Sequence, residues 1–124
     1  MDDSLKMVCI VDNDLSMRRA LGRLIRSFGY EVELYGSGRE CVDGHSVDQS
    51  DCLILDVSMP GLNGFEVFTL LRASGRNIPT IFISGHDDEV IREKALVVGG
   101  VAFLDKPCDE KSLRGAIDRA IAGA

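Results

Sequence analysis

The chain has no tryptophan, three prolines and two histidines, and none of its four cysteines forms a CxxC pair. A zinc site built on closely spaced cysteines and histidines is therefore not expected, nor is a proline-rich linker between modules. Cys9, Cys41, Cys52 and Cys108 are scattered, and Cys9 and Cys52 fall in strand-like runs where a free thiol serves as a small apolar filler. No apolar run approaches the roughly 18 residues of a membrane span, and the start Met1-Asp2-Asp3 lacks the basic region of a signal peptide. A cytoplasmic location is expected. Basic side chains are in deficit, 14 against 20 acidic ones, and the net charge of −6 opposes nonspecific attraction to nucleic acid or anionic membrane. With 124 residues and no repeat, one domain with its core over about residues 6–122 is expected, with no output domain.

What is present is an alternation of short apolar runs and amphipathic stretches. Met7 to Val11, Cys52 to Leu55 with Asp56 at its end, and Pro79 to Ser84 read as buried strands, and Val101 to Leu104 as a last short strand. Tyr30 to Tyr35 alternates Val32 and Leu34 with Glu31 and Glu33, as a half-exposed edge strand does. Between the strands, Leu15 to Phe28 carries Met17, Ala20, Leu21, Leu24, Ile25 and Phe28 at helical spacing. Arg18, Arg19, Arg23 and Arg26 take its other face, which reads as solvated; Asp14 or Ser16 can cap its start, and Gly29 suits its stop. Further helices are expected over Gly38 to Asp43, from Asn63 to about Ala73 with Asn63 and Glu66 as a capping box, from Asp87 or Asp88 to about Val98, and from Asp109 onward. Residues 44–51 read as a polar connection, with His45 on the surface. This alternation predicts an α/β fold: a doubly wound, five-stranded parallel sheet in the order 2-1-3-4-5.

That order makes the ends of the first, third and fourth strands neighbours, and each end carries a polar group. The first strand runs into Asp12-Asn13-Asp14, the central one into Asp56, the fourth into Ser84, and the last into Asp105-Lys106-Pro107. A strand-end Asp can simply cap a turn, a strand-end Ser can form one, and Lys106 can pair with Asp105 or Asp56. Taken together they do more. Asp12 and Asp56, about one strand spacing (~4.8 Å) apart, would repel unless a cation or proton lay between them, and oxygen ligands in an open crevice suit Mg2+. Ser84 can hydrogen-bond whatever Asp56 carries, and Lys106 can reach it as a point charge. Such a set is suited to holding a phosphoryl group, with Asp56 as nucleophile.

Through Val11-Asp12, Asp56-Val57-Ser58-Met59-Pro60 with Gly64, Ser84, and Lys106-Pro107, nearly the whole chain resembles the receiver domain of two-component response regulators, a flavodoxin- and CheY-like (βα)5 fold. The resemblance implies that Asp56 takes a phosphoryl group from a sensor histidine kinase or phosphotransfer protein, and that the Ser58 carbonyl joins Asp12, Asn13 and Asp56 around magnesium. It also implies a switch pair of Ser84 and Phe103, a cis Lys106–Pro107 peptide, and a responsive face made by the fourth helix, last strand and last helix (α4-β5-α5). A homodimer through that face is a possible partnership, and Leu96, Val97, Phe103 and Cys108 are candidates for it. Direct contact of this domain with nucleic acid or membrane is not expected, nor is any catalysis beyond its own phosphorylation and dephosphorylation. His86 is either at the mouth of the site or an inert loop residue.

One departure stands out. Relatives usually carry two adjacent acids after the first strand, and here the pair is Asp12-Asn13, so the metal site loses a charge that Asp14 could restore. Two other readings are open. A phosphorylation-independent interaction module would use the same fold. A magnesium-dependent phosphohydrolase with an aspartyl-phosphate intermediate would want a second acid two residues after the nucleophile, where Ser58 stands.

Overall fold

The computed structural model describes residues 5–85 and 89–123. Five strands alternate with five helices: β1 (Met7–Val11), α1 (Leu15–Ser27), β2 (Glu31–Tyr35), α2 (Gly38–Asp43), β3 (Cys52–Asp56), α3 (Gly64–Ala73), β4 (Thr80–Ser84), α4 (Glu89–Val97), β5 (Ala102–Asp105) and α5 (Glu110–Ala122). All strand pairings are parallel and the sheet order is β2-β1-β3-β4-β5, as the alternation predicts. The expected helix start at Asp87 or Asp88 and the reading of His86 lie outside the described residues.

Each face of the sheet has its own apolar core, because successive side chains along a strand point to opposite sides. Cys9, Val11, Leu53, Leu55 and Phe82 face α2, α3 and α4, while Val8, Ile10, Ile54, Ile81 and Ile83 face α1 and α5. Strands β3 and β4 are buried at every position, and burying each such Leu, Ile or Phe side chain contributes roughly 1.5–3 kcal/mol. Cys9, Cys41 and Cys52 are buried and free, and burial pushes the Cys52 thiol up to about 12, so these cysteines are inert filler.

The local signals are largely realised. Asp14 rather than Ser16 caps α1, its side chain accepting from the Met17 amide, and Gly29 takes the positive φ of 99° that ends it. Asn63 and Glu66 form a reciprocal capping box on α3.

Three expectations need correction. The connection before β3 contains a 3₁₀ turn, Ser46–Gln49, because Val47 is apolar enough to be buried under the sheet edge. Edge strand β2 shows no clean alternation, since the side chains of Val32 to Tyr35 are all half-covered. The last strand begins and ends one residue later than its apolar run, so Asp105 is its final residue and pairs in register with Ser84.

Candidate functional site

The carboxyl ends of β1, β3, β4 and β5 lie at one edge of the sheet. Val11 is in register with Leu55, which sets Asp12 beside Asp56; Asp56 is in register with Ile83, next to Ser84. Asp12 and Ser84 are fully buried and Asp56 is 3% exposed. Two adjacent carboxylates out of water demand a counter-charge. Lys106 provides it: Nζ lies 2.7 Å from Asp12 Oδ2 and 3.1 Å from Asp56 Oδ2. The lysine is aimed by its own backbone, whose N–H donates to the Ser84 carbonyl at 2.8 Å, and the peptide that follows, Lys106–Pro107, is cis.

Burial pushes the Asp56 carboxyl above its ordinary pKa, and the charge of Asp12 acts in the same direction; Lys106 and the Ser58 amide oppose them without prevailing. Burial works against the Lys106 ammonium, but contact with Asp12 and the charges of Asp56 and Asp12 outweigh it, so its pKa is raised. The cation is thus shared by two acids.

Asp12 is pinned at several atoms. Its amide donates to the Tyr35 carbonyl at 3.2 Å, its Oδ1 accepts from the Asp14 amide at 2.9 Å, and its carbonyl accepts from Arg18 Nη1 at 2.7 Å. Oδ2 is different. It is buried and meets the Lys106 ammonium at ion-pair distance, off the line of a good hydrogen bond, which leaves it a lone pair to spare. A buried carboxylate oxygen with a spare lone pair, beside a second carboxylate, fits a hard cation with oxygen ligands.

Asn13 lies exposed on the bend after Asp12, and exposed Ser58 donates its amide to Asp56 Oδ1 at 3.2 Å. Among the described residues no three His, Cys, Asp or Glu side chains converge as a metal cluster. Asp14 is committed to capping α1.

Phe103 faces inward from β5 and is 6% exposed, and the Arg92 guanidinium of α4 lies 4.8 Å from its ring centroid. Arg92 also reaches Asp105 Oδ2 at 2.8 Å, so Asp105 pairs with α4 while Lys106 turns to Asp12 and Asp56. Leu96 and Val97 are exposed on α4, and Cys108 is half-buried.

Two arginines escaped the sequence reading. Arg18 belongs to a row read as solvated, yet it is half-buried against Asp12 and Gly36. Arg92 gave no signal, because its partners Phe103 and Asp105 lie on another element.

A doubly wound parallel sheet in the order β2-β1-β3-β4-β5, with two acids, a hydroxyl and a lysine at neighbouring strand ends, defines an α/β domain of the receiver-like class. The model of the response regulator receiver domain family matches residues 8–118, and the chain belongs to that family, the receiver domains of two-component systems. Nodulation protein W of Bradyrhizobium diazoefficiens is 42% identical over 111 residues, covering 90% of this chain and 49% of that protein. Response regulator protein TodT of Pseudomonas putida is 40% identical over 121 residues, covering 98% of this chain and 53% of that protein. The chain thus spans about half the length of the curated relatives it matches. The solved structure of FixJ-N superposes with a TM-score of 0.89 at 29% identity, over 100% of this chain and 98% of that one. No helix among the described residues is long and apolar enough to cross a membrane.

Proposed function

We propose that this receiver is a phosphorylation-controlled switch in which Asp56 accepts a phosphoryl group from a sensor histidine kinase or a phosphotransfer protein. The observation that carries this reading is the pair of buried carboxylates, Asp12 and Asp56, sharing the single ammonium of Lys106 at the strand ends. An Asp56 carboxylate oxygen attacks phosphorus as the P–N bond of the donor phosphohistidine breaks, and the imidazole leaves with the electron pair and takes up a proton. Lys106 stays cationic and holds a phosphoryl oxygen, and the Ser84 hydroxyl bonds another. Asp12, Asn13, Asp56 and the Ser58 carbonyl would hold Mg2+, which when bound neutralises charge on the transferring group.

The bonds made to Ser84 and Lys106 on phosphorylation shift an equilibrium between two arrangements of α4, β5 and α5, with Ser84 and Phe103 as the switch pair. Val90, Leu96 and Val97 on α4 and Val101 just before β5 are exposed, and this apolar surface supports a homodimer through that face. The relatives TodT and FixJ carry names of regulators, FixJ a transcriptional one, and we place this domain in the cytoplasm as the receiver of such a regulator. Catalysis by the chain is confined to its own phosphorylation and dephosphorylation.

Intact mass after incubation with acetyl phosphate and Mg2+ tests the reading. One phosphoryl group retained per chain is expected in the wild type and none in Asp56→Asn. The same mass gain in the two proteins, or none in either, would overturn it.

A further inference from the structure

The geometry points to Arg18 as a positioning residue for the metal-binding end of β1, acting through the Asp12 carbonyl. The inference rests on the magnesium-dependent reading above and adds a part to it. Arg18 lies in the first turn of α1, where its own amide donates to the Asp14 carbonyl at 2.9 Å. From there its side chain folds back over the strand end and donates Nη1 to the Asp12 carbonyl at 2.7 Å. That carbonyl belongs to the peptide plane joining Asp12 to Asn13. Holding its oxygen fixes the plane, and with it the directions in which both side chains leave the chain. The Tyr35 carbonyl and the Asp14 amide hold two other atoms of Asp12, so Oδ2 is left to face the crevice.

Two further observations say that this contact is built. The guanidinium is seated against Gly36, where a Cβ would stand 3.1 Å from Arg18 Nη1 and 3.4 Å from its Cζ, closer than a side chain comfortably approaches. Among the described residues Arg18 pairs with no carboxylate, so its charge is spent on the carbonyl of Asp12. Groups that orient metal ligands from behind commonly govern affinity by about 10- to 100-fold when they are removed.

Charge and position predict opposite signs here, which makes the inference decidable. If Arg18 acted by charge alone, removing it would tighten the binding of a dication. If it positions Asp12 and Asn13, removing it weakens binding despite the lost repulsion. Mg2+ titrations by calorimetry, with the amide NMR signals of Asn13 and Asp14 followed in parallel, are run on the wild type, Arg18→Met, Arg18→Lys and Gly36→Ala. Mg2+ affinity is expected to fall about 10-fold in Arg18→Met and to recover in part in Arg18→Lys. Gly36→Ala leaves every charge in place and presses the guanidinium back by only a few tenths of an ångström, so it is expected to weaken binding to a smaller extent, and to have no further effect in the Arg18→Met background. Unchanged or tighter binding in Arg18→Met and Gly36→Ala, with thermal stability alone reduced, would overturn the positioning role while leaving the metal reading intact. A wild type that binds no Mg2+ would overturn both. Should Arg18→Met fail to fold, Gly36→Ala and Arg18→Lys decide the matter.

Discussion

Lys106 Nζ stands closer to Asp12 Oδ2, at 2.7 Å, than to Asp56 Oδ2, at 3.1 Å. The lysine thus neutralises Asp12 as well as Asp56. Lys106→Met removes the cation that meets both buried carboxylates, and an uncompensated buried charge typically costs about 3–5 kcal/mol. Urea unfolding at neutral pH is expected to show a loss of that size, and Lys106→Met with Asp56→Asn is expected to recover part of it. A single variant as stable as the wild type would mean that water or movement already screens the acids.

The titration of Asp56 gives a signed prediction. Burial and the charge of Asp12 raise its pKa in the folded chain. Stability from such a group is full below the unfolded value, near 3.9, and is lost as pH rises through the folded one. Asp56→Asn removes that loss, so its stability advantage over the wild type is expected to grow from acid towards neutral pH and then level off. Lys106 acts in the alkaline range, its contribution disappearing as pH rises through its own raised pKa. Denaturation curves of both proteins at stepped pH check this, and an advantage that shrinks between acid and neutral pH contradicts it.

Four of the five strands were legible as short apolar runs ending at a polar residue, the pattern that parallel strands buried on both faces leave in the chain, while β2 was legible by its sequence alternation. Asp12, Asp56, Ser84 and Lys106 could be placed together from topology alone, since the strand order decides which ends are neighbours. Arg18 and Arg92 were not legible in this way. Their roles depend on where a long side chain folds, over Gly36 in one case and onto Phe103 in the other. Periodicity places an arginine on a helix face but says nothing of the neighbouring strand its tip reaches. Val47 was hidden among polar residues, where one apolar side chain makes no periodic signal.

Asn13 leaves the proposed metal site one charge short, and Asp14 is held as the cap of α1 rather than turned to the crevice. A unit-charge pair at 4 Å is worth about 1 kcal/mol even in water and more near a buried site, so Asn13→Asp is expected to bind Mg2+ several-fold more tightly. Calorimetric titration of the two proteins measures this directly. Equal affinities would show that the lost charge is made good elsewhere.

Gly64 separates effects of space from effects of helix propensity. A Cβ there would stand 2.6 Å from the Asp56 carbonyl oxygen and 3.0 Å from Val57 Cα, and both obstacles are backbone atoms that cannot swing aside. In the fold this position lets α3 start directly against the end of β3, with the Gly64 amide donating to the Val57 carbonyl at 3.1 Å. Gly64→Ala must therefore push the strand end that carries Asp56, and overpacking of this kind costs about 1–3 kcal/mol. Gly115, inside α5, is the control: a Cβ there meets only the tip of the Arg119 side chain, at 3.3 Å, so the same substitution should stabilise by about 0.5–1 kcal/mol through helix propensity. Gly64→Ala is expected to be less stable than the wild type and slower to take phosphoryl from acetyl phosphate, whereas Gly115→Ala is expected to be more stable and equally fast. If both variants gained stability, the close approach of α3 to the end of β3 would not constrain the position of Asp56.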